Sequence, residues 1–141
     1  MEKFFLLADD DSDDAELFGE ALTGINPRVE FYHVENGKRL LEFLSSKQDR
    51  KPDIIFLDLN MPEISGWQCL TRLKNETVYK DIPVIIYSTS SNPLDKKTAI
   101  ELGASGFLTK PSNFKLLVKL LNIIASTETT DLKKVLREIA I

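Results

Sequence analysis

Short apolar segments alternate with longer stretches of helical periodicity along this chain. The segments are rich in Val, Ile and Phe, the residue types that buried strands favour. Strands that alternate with helices predict repeated βα units arranged around a parallel sheet. The five predicted strands cover residues 4–8, 29–34, 54–57, 84–87 and 107–109.

Apolar residues at helical spacing predict a helix after four of these strands. They are Leu17, Phe18, Ala21 and Leu22, then Leu40, Leu41, Phe43 and Leu44, then Trp67, Leu70 and Leu73, and finally Leu116, Leu117, Leu120, Leu121 and Ile124. The helix after the fourth strand is predicted from its ends, since Asn92 is a good N-cap, Pro93 suits the first helical position and Gly103 suits the C-terminal end. The chain therefore predicts an α/β fold of three layers, with five βα units and a doubly wound parallel sheet.

The tail predicts one more helix beyond the five units. Leu132, Val135, Leu136 and Ile139 lie on one face of this helix, which divides the chain into a domain at 1–126 and a C-terminal helical extension at 127–141. The apolar face either docks on its own domain or forms a surface for a partner or a second copy.

Composition limits the classes of function. With 43% hydrophobic and 28% charged residues, the 141-residue chain is typical of one soluble globular domain. A net charge of −4 argues against nucleic acid as a partner. Cys69 is the only cysteine in the sequence, which fits a reducing compartment. Because no segment approaches the roughly 20 apolar residues of a membrane span and the N-terminal apolar run is too short for a signal peptide, we expect a cytoplasmic protein without membrane contact.

Polar side chains follow the predicted strands at the points where the strands end. Asp9, Asp10 and Asp11 follow the first strand, Asp58 the third, Ser88 and Thr89 the fourth, and Lys110 the fifth. Ligands of open parallel sheets bind beyond the carboxyl ends of the strands, so these side chains should meet at one edge of the sheet.

The gathered carboxylates predict a metal site. Carboxylates without enough cations repel one another, and a hard divalent cation with a preference for oxygen ligands relieves that repulsion. Mg²⁺ suits best because it keeps several waters and leaves a position for a substrate phosphate. We predict Asp10 and Asp58 as ligands and Asp9 as a functional neighbour. Asp13 and Asp14 are interpreted as the acidic first turn of a helix, and Asp11 fits either role.

Asp58 ends a wholly apolar strand, where a carboxylate is partly desolvated or matched by a cation. Such a carboxylate can attack a phosphoryl donor and form an acyl phosphate. Lys110 and the metal would compensate the charge, and Ser88 would hold a phosphoryl oxygen. Taken singly, Ser88 is interpreted as a turn-capping hydroxyl and Lys110 as a solvated loop lysine. The combination with Asp58 favours phosphoryl transfer.

Five motifs resemble, in order, the receiver domains of two-component response regulators, over residues 1 to about 125. They are ADDD at 8–11, FLDLNMPEISG at 56–66, PVIIYSTS at 83–90, GASGFLTKP at 103–111, and the apolar fifth helix. The resemblance implies a flavodoxin-like sheet with strand order 2-1-3-4-5. The stretch at 45–53 is also similar to single-domain receivers that serve phytochrome-type histidine kinases.

The resemblance assigns a role to each strand-end residue. Asp58 would be the phosphoacceptor, Asp9 and Asp10 the acidic pair, and the Asn60 backbone carbonyl a further Mg²⁺ ligand. Lys110 would contact the phosphoryl group, placed by a cis peptide bond to Pro111. Ser88 would be the switch hydroxyl, with Thr89 as its neighbour, and Phe107 the switch aromatic. Phe107 stands where tyrosine is more frequent, so its switching would depend on packing alone. His33, the only histidine, lies in the second predicted strand and is expected to be an ordinary strand residue far from the acids.

The resemblance also implies partners. A sensor histidine kinase would supply the phosphoryl group, and no output domain follows in the sequence, so the effect is expected through a downstream effector, a phosphotransfer protein or a homodimer. The chain would then catalyse only its own phosphorylation and slow autodephosphorylation.

Two other classes of protein share parts of this pattern. A Mg²⁺-dependent phosphatase with an aspartyl nucleophile would use a similar sheet, but Asn60 stands where the second acid of its Asp-x-Asp segment is required. A non-phosphorylated interaction module would not need the complete set of acids, hydroxyl and lysine.

Overall fold

The computed structural model describes residues 3–25, 28–46 and 50–139. The strands are β1 (Phe4–Ala8), β2 (Glu30–Val34), β3 (Ile54–Leu57), β4 (Val84–Ser88) and β5 (Gly106–Thr109). The helices are α1 (Ser12–Ile25), α2 (Gly37–Ser45), α3 (Gly66–Asn75), α4 (Pro93–Glu101), α5 (Phe114–Ser126) and α6 (Leu132–Ile139), with a 3₁₀ turn at Thr129–Asp131 before α6. The described chain thus contains each predicted element, with strand ends shifted by at most one residue.

All strand pairs are parallel, and the order is β2-β1-β3-β4-β5. The predicted strand order is therefore confirmed. The central strands β1, β3 and β4 are buried along their whole length, which explains their unbroken apolar sequences. The edge strand β2 is buried only at Val34.

Helices cover both faces of the sheet and complete the three predicted layers. One core contains Phe18 of α1 and Leu121 of α5, packed on Phe56 and Tyr87 from the sheet. The other core receives α2, α3 and α4 through Leu40, Leu70 and Ala99. The predicted apolar face of α1 is wrong at Leu17, which is 45% exposed. The buried face of this helix includes Ala15 together with Phe18, Ala21 and Leu22.

The ends of α4 follow the local sequence. Asn92 caps the helix by accepting a hydrogen bond from the Leu94 backbone N–H at 2.9 Å, and Pro93 occupies the first turn. Gly103 follows the helix with a φ of +105°, a left-handed conformation that glycine adopts without the steric cost of a side chain. No helix within the described ranges is long and apolar enough to cross a membrane.

The apolar face of α6 packs on its own domain. Leu132 and Leu136 are 1% and 2% exposed and join the core on the α1 and α5 side. A Cβ at Gly106 would lie 2.7 Å from Leu136 Cδ1, so the absence of a side chain there lets α6 approach β5. Docking is therefore confirmed for these two leucines, while the Ile139 side chain lies outside the described part.

Leu136→Ala is expected to lower the free energy of unfolding by about 2–4 kcal/mol, because it removes buried methyl groups and leaves a cavity beside Gly106. Urea denaturation measures this change. Lys134→Ala on the exposed side of α6 is the matched control and should change stability by less than about 0.5 kcal/mol. Equal stabilities for the two variants would contradict a docked α6.

Candidate functional site

Backbone hydrogen bonds between neighbouring strands continue to the first residues after the strand ends. The N–H of Asp9 donates to Val34 O at 3.1 Å, that of Asp58 to Ala8 O at 3.0 Å, and that of Lys110 to Ser88 O at 2.7 Å. These bonds fix the strand-end residues to their neighbours in the sheet. The predicted convergence at one edge is therefore what the structure has.

Three carboxylates form the centre of this edge. Oxygen atoms of Asp9, Asp10 and Asp58 all lie within 4.8 Å of one another. Asp9 is fully buried and Asp58 is 5% exposed, whereas Asp10 is exposed. Asp9 Oδ1 accepts a hydrogen bond from the Asp11 N–H at 2.9 Å. Asp11 itself caps α1 by accepting from the N–H groups of Asp13 and Asp14, so its side chain serves the helix start.

The ammonium of Lys110 lies among the acids. Its Nζ is 2.9 Å from Asp9 Oδ2, 2.8 Å from Asp14 Oδ2 and 3.7 Å from Asp58 Oδ2. Of these three contacts, only the one with Asp14 has the geometry of a hydrogen bond. The sequence predicts Asp14 only as an acid of the helix start. Its place in the first turn of α1, a few residues after the end of β1, was the signal for a second role.

Burial and charge shift the ionisation of this site. Burial raises the pKa of Asp58 from 3.8 to about 7, and the negative charge of Asp9 adds to the rise while Lys110 opposes it. Burial alone would lower the pKa of Lys110, but the hydrogen bond to Asp14 and the negative charges of Asp9 and Asp58 outweigh it and hold this pKa above its ordinary value. Lys110 therefore stays positively charged, whereas the carboxyl group of Asp58 in the metal-free protein has a pKa of about 7 and is partly protonated at neutral pH.

The carboxylate cluster fits a divalent cation. Asp9 Oδ2 is buried, and among the described residues no donor meets it with hydrogen-bond geometry, although Lys110 Nζ lies 2.9 Å away. Three carboxylates also carry more negative charge than one ammonium compensates. A hard cation that prefers oxygen ligands would give the buried Asp9 oxygen a partner and would compensate the excess negative charge.

The remaining predicted residues lie in β4 and β5 or in the loops after β3 and β4. Ser88 is buried, and its Oγ accepts from the Ser90 N–H at 3.2 Å. The Asn60 N–H points to Asp58 Oδ1 at 3.5 Å. Phe107 is 5% exposed, with Lys96 Nζ 6.0 Å from its ring centre. Thr89 is exposed, and its side chain contacts none of the acids in the described part of the chain.

Two expectations are wrong. The described residues contain no cis peptide bond, so the Lys110–Pro111 peptide is trans, the form that X–Pro bonds prefer in general. His33 is not far from the acids, because β2 pairs with β1 and His33 Nε2 lies 2.7 Å from the Asp9 carbonyl oxygen. The contact is with the backbone of Asp9 and not with its carboxylate.

This fold and this edge define a receiver domain. The family described as "Response regulator receiver domain" matches residues 5–122, so the chain belongs to that family. Rcp1, a response regulator from Synechocystis sp., is 32% identical over 128 residues, which are 88% of this chain and 87% of Rcp1. The resemblance inferred from the motifs is therefore confirmed.

Solved structures agree with this assignment. The phosphorylated cyanobacterial phytochrome response regulator RcpA superposes with a TM-score of 0.78 at 29% identity, over 86% of this chain and 90% of RcpA. The Mn²⁺-bound form of Rcp1 superposes with a TM-score of 0.77 at 32% identity, over 88% and 92% of the two chains. The similarity to phytochrome response regulators, first suggested by the stretch at 45–53, is thus present in the structures as well.

Proposed function

We propose that this chain is a phosphoacceptor switch in which Asp58 receives a phosphoryl group. The observation that carries the proposal is the placement of Asp58, 5% exposed at the end of β3, with a neighbouring acidic pair and an ammonium within 3.7 Å. A buried carboxylate between acids and a cation gains little for stability, so a chemical role accounts for it better.

The acidic cluster supports Mg²⁺ as the cofactor. Asp10 and Asp58 would ligate it directly, with Asp9 completing the acidic pair and the Asn60 backbone carbonyl as a further ligand. The bound ion would supply charge compensation for the transferred phosphoryl group. The Mn²⁺-bound form of Rcp1 shows that a related receiver takes a divalent cation.

The chain's own residues supply the remaining steps. Asp58 attacks the phosphorus of a phosphohistidine whose other ring nitrogen carries a proton. An O–P bond forms, the P–N bond breaks, and its electron pair stays on the ring nitrogen, which returns neutral imidazole to the donor. Lys110 neutralises charge on the phosphoryl oxygens, since its raised pKa keeps it cationic. Ser88 would then turn its hydroxyl from Ser90 toward the phosphoryl group, with Thr89 following it in the loop and Phe107 filling the space that Ser88 leaves.

The partners follow from this chemistry. A sensor histidine kinase, of the phytochrome type by similarity to RcpA, would donate the phosphoryl group in the cytoplasm. A downstream effector, a phosphotransfer protein or a second copy would read the switched surface. We assign this switch to residues 1–126 and the C-terminal helical extension to residues 127–141. The chain would modify only itself and would not bind nucleic acid.

The decisive experiment is intact-protein mass after incubation with acetyl phosphate. With Mg²⁺ we expect a single phosphoryl adduct that is stable in acid and labile in base, as an acyl phosphate is. The adduct should be absent with chelator and absent in Asp58→Asn, because the nucleophile is gone. Asp13→Asn, an exposed acid at the start of α1, is the matched control and should be modified as the wild type is.

A persistent adduct in Asp58→Asn would move the acceptor elsewhere. No adduct in the wild type, under conditions that modify another receiver, would favour a non-phosphorylated interaction module. Rapid catalytic release of phosphate from small phosphate esters would instead favour the phosphatase class.

A further inference from the structure

Asp14 accepts the hydrogen bond that fixes Lys110 in this structure. The Lys110 Nζ atom donates to Asp14 Oδ2 at 2.8 Å, whereas it is 3.7 Å from Asp58 Oδ2. The ammonium is therefore held closer to a carboxylate at the start of α1 than to the proposed phosphoacceptor.

The two close partners of Lys110 differ in their access to water. The side chain of Asp9 is fully buried, whereas that of Asp14 is 33% exposed. Water can replace the ammonium at Asp14 at low cost, as it does for ion pairs near a surface. Losing the ammonium would leave Asp9 as a buried, uncompensated charge. When Asp58 gains the negative charge of a phosphoryl group, the bond to Asp14 is the one that yields first.

We propose that Asp14 is a positioning residue that competes with the phosphoryl group for Lys110. This inference rests on the proposed phosphorylation of Asp58. In the unmodified protein it holds the ammonium away from Asp58. In the modified protein its free carboxylate leaves one extra negative charge beside the site, which disfavours the phosphoryl dianion and favours bound cations. Asp14 thereby sets how firmly the phosphorylated state is held, without touching the reacting atoms.

Asp14→Asn tests this role because it removes the charge and keeps the size of the side chain. With saturating Mg²⁺, beryllofluoride, which mimics a phosphoryl group on a carboxylate, is expected to bind roughly threefold to tenfold more tightly than to the wild type. Without beryllofluoride, Mg²⁺ is expected to bind more weakly, by a similar factor. Titration calorimetry measures both dissociation constants. A merely loosened structure would weaken both ligands, so opposite shifts identify a competing charge.

Asp13→Asn is the control, since it removes the same charge one residue earlier and none of the described ion pairs of Lys110 involves Asp13. Both constants should stay within about twofold of the wild type for this variant. Unchanged constants in Asp14→Asn, or weaker binding of both ligands, would overturn the role of Asp14. If the wild type fails to bind beryllofluoride with Mg²⁺ present, the proposed function itself fails, and the inference with it.

Discussion

In the metal-free protein near pH 8, Lys110→Met is expected to lower the free energy of unfolding by about 3–5 kcal/mol, the usual cost of removing one partner of a buried ion pair. The Lys110 side chain is 10% exposed and compensates Asp9, which is fully buried, as well as Asp58. Methionine fills a similar volume but leaves these carboxylates to repel one another. Urea unfolding in the presence of chelator measures the loss.

Mg²⁺ should restore part of the stability lost in Lys110→Met. With the ammonium gone, the divalent ion becomes the main compensation for the acids, so its stabilising effect should be larger in the variant than in the wild type. Lys119→Met on the exposed side of α5 is the control and should behave as the wild type does in both conditions. A Lys110→Met protein as stable as this control would mean that Lys110 compensates little of the charge of the acids.

Asp58→Asn is expected to stabilise the metal-free protein, although it removes the phosphoacceptor. Folding raises the pKa of Asp58 from 3.8 to about 7, chiefly through burial. A raised carboxyl pKa means that the folded state binds the proton more tightly than the unfolded state, so the stability from this group is full below pH 3.8 and is lost as pH rises to about 7. The neutral amide of asparagine does not suffer this loss.

The stabilisation by Asp58→Asn should therefore be small near pH 4 and grow to a plateau on the order of 2–4 kcal/mol above pH 7. Urea unfolding across this pH range in chelator gives the curve, with Asp13→Asn as the exposed control. Saturating Mg²⁺ should reduce or reverse the difference, since the wild type gains a ligand to the ion. A pH-independent difference would contradict a perturbed Asp58.

The local sequence predicted most elements because their causes are local. The apolar run 54–57 predicts a buried strand, and β3 covers these four residues. The Asn92-Pro93 pair predicts a helix start, and α4 begins at Pro93 with Asn92 as its N-cap. Leu17 shows the limit of periodicity: it shares an apolar pattern with Phe18, but only packing against the sheet decides that Ala15 is buried and Leu17 is not.

The sequence also determined which residues share this edge of the sheet, because parallel strands bring their carboxyl ends to one edge. Ser88 ends β4, and Asp9, Asp58 and Lys110 each follow a strand. The tertiary structure decided which carboxylates lie closest to the Lys110 ammonium. The preference of Lys110 for Asp14 over Asp58 and the contact of His33 with the Asp9 carbonyl both depend on distances across separate βα units. Residue types and spacing do not encode such distances, which arise only when the helices and strands pack together.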